Sequence, residues 1–229
     1  MRRTAANTGA NTGANTGANA EPHGALMDSI YRRQKYIYDA TRKFYLFGRD
    51  RLIEELAARP GMALLEVGCG TGRNLAVIGR RWPGLRLYGL DISEQMLMVA
   101  RAKLGSEADL ALGDATSFEA ATLFDTAQFD RIVMSFTISM IPGWQTAIDQ
   151  AARHLAPGGE LHMVDFGDFA AMPGPIRTLF YAWLRKFHVT PRRDLEAQAC
   201  ALAQSQQLIM HSRPGPLGYY RVIRLVRPF

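Results

Sequence analysis

The sequence predicts an α/β fold built on a doubly wound, mostly parallel seven-stranded sheet, and three stretches carry that expectation. Leu64, Leu65 and Val67 form an apolar run suited to a strand buried on both faces. That run enters a loop with glycine at alternate positions, Gly68, Gly70 and Gly72, before Asn74–Ile78 starts a helical pattern. Leu85–Asp91 then reads as a second strand ending on a carboxylate, roughly twenty residues past the loop.

The elements follow in order. Asn7–Ala18 is three copies of Asn-Thr-Gly-Ala, too short a period for a solenoid and too polar for a core. Residues 1–24 are therefore expected to be a disordered tail, and 25–229 one domain. In Met27–Leu56, Ile30, Ile37 and Phe44 recur every seven residues, as do Tyr31, Tyr38 and Tyr45. On a helix those six side chains share one stripe, which suggests an N-terminal helical lid over 25–58 as well as a helix simply packed on the core. Gly48 is expected to break it before a helix over Arg49–Ala58.

Beyond the loop, a helix over Asn74–Arg81 ends at Trp82-Pro83-Gly84, and Ser93 suits the N-cap of a helix running to Leu104. Asp109–Leu112 reads as the third strand, Phe129–Phe136 as the fourth and Glu160–Phe166 as the fifth. Gln145–Leu155 reads as the helix before Pro157-Gly158-Gly159 turns the chain. Residues 167–194 form an insertion in which Ile176, Leu179, Phe180, Trp183, Leu184 and Phe187 keep helical spacing. A helix over Asp194–Gln204 and strands over Gln207–Ser212 and Tyr219–Arg227 complete the pattern, with Arg221, Arg224 and Arg227 expected on a sheet edge.

Composition bounds the function. With 229 residues and a hydrophobic fraction of 48%, one sizeable core is possible, and no apolar run is long enough to span a bilayer. Met1-Arg2-Arg3 resembles the start of an export signal, but Thr4–Ala20 lacks an apolar centre. Cys69 and Cys200 have no metal-ligand spacing, so no metal is expected and a reducing cytoplasm is. A net charge of +6 implies an acidic partner, nucleic acid or an anionic membrane surface, or only a solvated basic face.

The dinucleotide pattern Gly-x-Gly-x-x-Gly counted from Gly68 would require glycine at Arg73, so it fails. Glu66 before the three glycines, Asp91, Gly113-Asp114-Ala115 and Leu155-Ala156-Pro157-Gly158-Gly159 instead resemble the ordered motifs of class I S-adenosylmethionine-dependent methyltransferases. That resemblance implies the Rossmann-like methyltransferase fold and a cofactor site of Glu66, Gly68, Cys69, Gly70, Gly72, Asn74, Asp91, Ile92, Met96, Asp114, Ala115 and Ser135. Tyr38, in a Tyr38-Asp39 pair, matches a tyrosine that contacts the cofactor carboxylate in related enzymes. S-adenosyl-L-homocysteine would be the spent product.

Ile30–Leu56, the loop through Leu75, Ser135–Pro142 and Trp183–Asp194 further resemble bacterial diacylglycerylhomoserine N-methyltransferases, from about Met27 to the C-terminus. The resemblance implies up to three methyl transfers to one lipid amine, giving the betaine lipid diacylglyceryl-trimethylhomoserine. Positioning dominates such chemistry, and aromatic faces stabilise the quaternary ammonium product by about 0.5–2 kcal/mol. Tyr38, Ser139 and His188 are the candidates to take the amine proton. Tyr31, Tyr45, Arg177, Phe180, Trp183 and Arg185 are the candidates for substrate and membrane contact, in a peripheral protein on the cytoplasmic face of the membrane. Phosphatidylethanolamine N-methylation, small-molecule or quinone methylation, and non-catalytic cofactor binding are the alternatives. The Asn/Asp-Pro-Pro-Tyr/Phe signature of flipped-base methylation is absent after Met134, so no nucleic acid is expected.

Overall fold

A computed structural model describes residues 48–187 and 189–229. The expected tail, most of the lid with Tyr31, Tyr38 and Tyr45, and His188 lie outside the described residues. The described chain runs α1 (Arg49–Glu54), β1 (Ala63–Val67), α2 (Arg73–Arg81), β2 (Arg86–Asp91), α3 (Glu94–Leu104), β3 (Ala108–Leu112), α4 (Ala120–Phe124) and β4 (Phe129–Ser135). It continues through α5 (Trp144–Arg153), β5 (Leu155–Phe166), α6 (Gly174–Arg185), α7 (Leu195–Ser205), β6 (Ile209–Pro214) and β7 (Tyr220–Val226).

The strands form one sheet in the order β3-β2-β1-β4-β5-β7-β6, with β7 antiparallel to both neighbours and the other pairs parallel. Strand alternation feeds two apolar layers. Ala63, Leu65 and Val67 of β1 belong to one apolar layer with Trp144, Ile148, Ala199 and Leu202 of α5 and α7. Leu64 points the other way, toward Leu52, Leu75, Ile78 and Leu97 on α1, α2 and α3. Every β1 side chain is buried, as a strand covered on both faces requires. The chain leaves β1 toward β2 on one side and returns to β4 on the other, which opens a crevice at the carboxyl ends of these strands.

Several expectations change. Helix α1 ends at Glu54, because Ala57 adopts φ 45° and cannot continue it. Helix α4 has no periodic signature and was not anticipated; it is five residues long. Strand β5 already begins at Leu155, and the Pro157-Gly158-Gly159 turn is an irregularity within its pairing to β4. A Cβ at Gly159 would lie 2.9 Å from the Phe129 carbonyl oxygen. The arginines of β7 are not on an edge, since β6 covers that strand. Arg221 pairs with Glu196 at 2.7 Å, and Arg224 lies 3.5 Å from Glu160.

Buried Arg131 on β4 ties the segment after α1 to the sheet. Its guanidinium donates to the carbonyls of Leu56 at 2.6 Å and Asp130 at 2.7 Å. Substituting Arg131→Met orphans these carbonyls and is expected to lower stability by roughly 2–4 kcal/mol. The denaturation midpoint reads this directly; an unchanged midpoint would mean that apolar contacts of Leu52, Ile53 and Leu56 alone hold the segment.

Candidate active site

The loop after β1 is bound to the end of β2. The N–H groups of Gly68 and Cys69 both donate to the Leu90 carbonyl, at 2.8 and 3.0 Å. The N–H of Gly70 donates to Asp91 Oδ2 at 2.7 Å, and that of Ser93 to Asp91 Oδ1 at 2.9 Å. Ser93 also caps α3, its hydroxyl accepting from the Met96 N–H at 3.3 Å. One carboxylate thus sets the loop, the strand end and the start of α3 in a single frame.

Glu66, only 1% exposed, accepts from Asn74 Nδ2 at 2.7 Å. Asn74 therefore acts through Glu66, as a positioning residue. Gly68, Gly70 and Gly72 have φ of 73°, 54° and 70°, which side chains rarely adopt. Their surroundings differ. A Cβ at Gly68 would lie 2.1 Å from Thr137 Oγ1, and one at Gly72 would lie 2.8 Å from Leu104 Cδ1, whereas Gly70 faces open space. Gly72 is thus needed for helix packing, and Gly70 presents bare backbone to the crevice. Burial pushes the Cys69 thiol well up, helped by Asp91 and Glu66, so it stays an uncharged filler.

Ile92 and Met96 line the far side, where Met140 and Phe187 pack against Met96. Asp114 Oδ1 accepts from the Thr116 N–H at 2.8 Å and its hydroxyl at 2.7 Å, a turn that holds Gly113-Asp114-Ala115 beyond β3. Ser135 closes β4; its buried hydroxyl has no hydrogen-bond partner among the described residues. Phe136 follows with φ 54°, backbone strain at the strand end nearest the loop. The expected residues Glu66 to Ser135 are thus gathered at four neighbouring strand ends.

Sequence reading missed Asp165, although an acid closing the apolar run Leu161–Phe166 repeats the signal of Glu66 and Asp91. It is fully buried and accepts from the N–H groups of Ser139 at 3.0 Å and Phe166 at 2.8 Å. It secures the turn that carries Ser139, itself buried. Arg192 secures the same turn from outside, donating to the Ile141 carbonyl at 2.8 Å. Burial lowers the Arg192 pKa, partly opposed by Asp165 and Asp194.

Phe169 and Phe180 of the insertion form an aromatic cluster with Phe166 at the end of β5 and Tyr219 before β7. Trp183 stacks on Phe180 at 5.4 Å and meets Phe187 edge-on at 5.1 Å. Ile176, Leu179, Phe180 and Trp183 line an open apolar groove of about 450 Å³. Of the expected stripe only Leu184 is fully buried, and Arg177 and Arg185 form no ion pair among the described residues.

Comparisons with known proteins agree with this architecture. Residues 65–161 match a family model described as a methyltransferase domain. The ubiquinone/menaquinone biosynthesis C-methyltransferase UbiE of Cereibacter sphaeroides is 32% identical over 138 residues, covering 58% of this chain and 52% of that protein. Trans-aconitate 2-methyltransferase of Streptomyces avermitilis is 33% identical over 117 residues, 51% of this chain and 43% of that protein. The chain thus spans about half the length of the curated relatives it matches. Haemonchus contortus phosphoethanolamine N-methyltransferase 2, with phosphomonomethylethanolamine and S-adenosylhomocysteine, superimposes with TM-score 0.67 at 16% identity, over 88% of this chain and 60% of that one. The plantazolicin methyltransferase BpumL, also with S-adenosylhomocysteine, gives TM-score 0.67 at 15% identity, over 92% of this chain and 97% of that one. The fold is the Rossmann-like methyltransferase fold.

Two outcomes follow from the geometry. Gly68→Ala, strained and set against Thr137, is expected to cost roughly 1–3 kcal/mol of stability, measurable by chemical denaturation; full stability would show that Thr137 simply turns away. Burial pushes the Asp165 carboxyl up to about 6, against the pull of the Ser139 and Phe166 N–H groups. The folded chain then keeps this proton longer than the unfolded one, whose Asp titrates near about 4. Stability is highest below about 4 and falls as pH rises to about 6, by on the order of 3 kcal/mol for this group. Asp165→Asn is expected to flatten that part of the stability–pH curve, and a wild-type slope in the variant would assign the titration to another group.

Proposed function

We propose that this protein is a class I S-adenosylmethionine-dependent methyltransferase acting on the amine of diacylglycerylhomoserine, adding up to three methyl groups to give diacylglyceryl-trimethylhomoserine. The methyltransferase part rests on the domain match over residues 65–161 and on the strand-end crevice. The lipid part rests on one observation: the aromatic run Phe180–Trp183–Phe187 leads from an open apolar groove to Met96 at the crevice. An acceptor with acyl chains and a polar head suits a path that is apolar outside and ends at the cofactor wall.

The residues present fit the cofactor. Bare backbone at Gly70, the carboxylates of Glu66, Asp91 and Asp114, and the apolar side chains of Ile92 and Met96 match an amino-acid tail, a ribose and an adenine ring in turn. When bound, S-adenosylmethionine supplies an electrophilic sulfonium methyl. In this reading Glu66, held by Asn74, takes the region of the ammonium group. Asp91 takes the ribose hydroxyls and Asp114 the adenine edge. Cys69, Ala115 and Ser135 complete the wall. The chain's further task is to orient a neutral amine and exclude water, since amines of this kind titrate within a few units of neutrality. Ser139, on the turn anchored by Asp165, faces that task with Tyr38 and His188 as the proposed proton acceptors.

The names of the first relatives favour a second reading, carbon methylation of a quinone, which is also an apolar acceptor. Purified protein incubated with methyl-labelled cofactor and, separately, diacylglycerylhomoserine, phosphatidylethanolamine and a demethylated quinone distinguishes them. Label in the homoserine lipid is expected; label only in another acceptor would overturn the lipid assignment. Asp91→Asn should weaken S-adenosylhomocysteine binding roughly ten- to a hundredfold, measured by calorimetry, and unaltered affinity would remove Asp91 from the ribose site.

A further inference from the structure

The helix that bears the aromatic run turns two of its largest apolar side chains outward. Ile176 is 58% exposed and Leu179 is 72% exposed, and they sit one turn apart on α6. Two such side chains together with Phe180 and Trp183 make a contiguous patch, unlike the exposed Met98, Leu112 and Ile209, which lie on separate elements. Phe180 and Trp183 also pack against the core, whereas Ile176 and Leu179 belong to no core cluster. Leu184 anchors the helix from its opposite flank, and Tyr181 packs edge-on against Phe169 at 5.2 Å.

Charge identifies what the patch meets. From Phe169 to Arg193 the chain holds five cations, Arg177, Arg185, Lys186, Arg192 and Arg193, and no aspartate or glutamate. Arg192 is occupied with the carbonyl of Ile141, and Arg193 lies over the ring of Tyr181 at 5.2 Å. Arg177, Arg185 and Lys186 pair with no carboxylate among the described residues. Lys186, the C-cap of α6, keeps helical backbone angles, φ −64° and ψ −20°, so that seven residues after Leu179 it falls on the same side. Exposed aliphatic side chains, a tryptophan at the margin and unpaired cations are the complement of a bilayer interface carrying anionic headgroups. No helix among the described residues is long and apolar enough to cross a membrane.

We infer that α6 and its C-cap form a membrane-docking surface: Ile176 and Leu179 enter the acyl boundary of an anionic bilayer while Lys186, on the same face, engages its headgroups, and Arg177 and Arg185 add to the positive potential around the helix. This deepens the lipid-acceptor reading and rests on it for its purpose, since a lipid raised along Trp183 and Phe187 would reach the crevice without crossing water. The surface itself stands on the residues of α6 and its C-cap Lys186 alone.

Flotation of the full chain with vesicles tests it without any methyl acceptor present. Binding is expected to vesicles of phosphatidylcholine mixed with phosphatidylglycerol, to weaken with salt, and to be slight on phosphatidylcholine alone. The double variant Ile176→Glu, Leu179→Glu should bind at least about tenfold less, and Lys186→Gln about fivefold less. Calorimetry with S-adenosylhomocysteine and the denaturation midpoint should be unchanged in both variants. No flotation of the wild type, or equal flotation of the double variant, overturns the inference. So does a wild-type dimer that the double variant converts to a monomer without vesicle binding, which would make the face a contact between copies. Flotation as expected with no lipid methylated would leave the docking surface standing and remove only the acceptor assignment.

Discussion

The carboxylate of Asp91 is the constraint on which the rest of the site depends. It receives the N–H of Gly70 from the loop and the N–H of Ser93 from the start of α3, so two segments that leave different strands share one anchor. Hydrogen bonds to a charged acceptor are stronger than neutral ones, about 1.5–3 kcal/mol each. Leu90 adds a carbonyl that takes two further loop N–H groups. A glycine loop has high conformational entropy when unfolded, and this cluster of bonds fixes it in one shape with Gly70 facing the crevice.

The sheet makes that anchor possible. Because β1 is covered on both faces, its end is presented by a rigid core, and the pairing of Val67 with Leu90 brings the loop beside Asp91. On the other side of the switch point the turn over Thr137–Met140 is secured twice, by buried Asp165 below and Arg192 outside. The two sides of the crevice are therefore held by different means. One uses a half-buried carboxylate on backbone N–H groups; the other uses a fully buried acid whose desolvation lowers stability at neutral pH.

Much of this was legible in the sequence because it is local. The apolar run into Gly68-Cys69-Gly70-Thr71-Gly72, the acid closing β2 and the Ser93 cap each announce their geometry within a few residues. The structure sets Glu66, Asp91 and Asp114 at the ends of adjacent strands, as the spacing implied. What was not legible depends on tertiary neighbours. Helix α4 is too short to show a period. The strand order that places β7 inside the sheet requires knowing which edge β6 takes. The six apolar residues from Ile176 to Phe187, five of them on α6, keep helical spacing, yet they cover a wider arc than the core contacts, so periodicity could not tell buried Leu184 from exposed Leu179. Asp165 escaped notice because its partners, Ser139 and Phe166, offer only backbone N–H groups. Sequence marks side chains, and a backbone donor leaves no mark.

The most direct test is a crystal grown with S-adenosylhomocysteine. The account predicts adenosine density between Asp91, Met96 and Asp114, with the amino-acid tail running toward Glu66 over Gly70. Ligand density at any other place on the fold, or a crevice that excludes the ligand at saturating concentration, would contradict it.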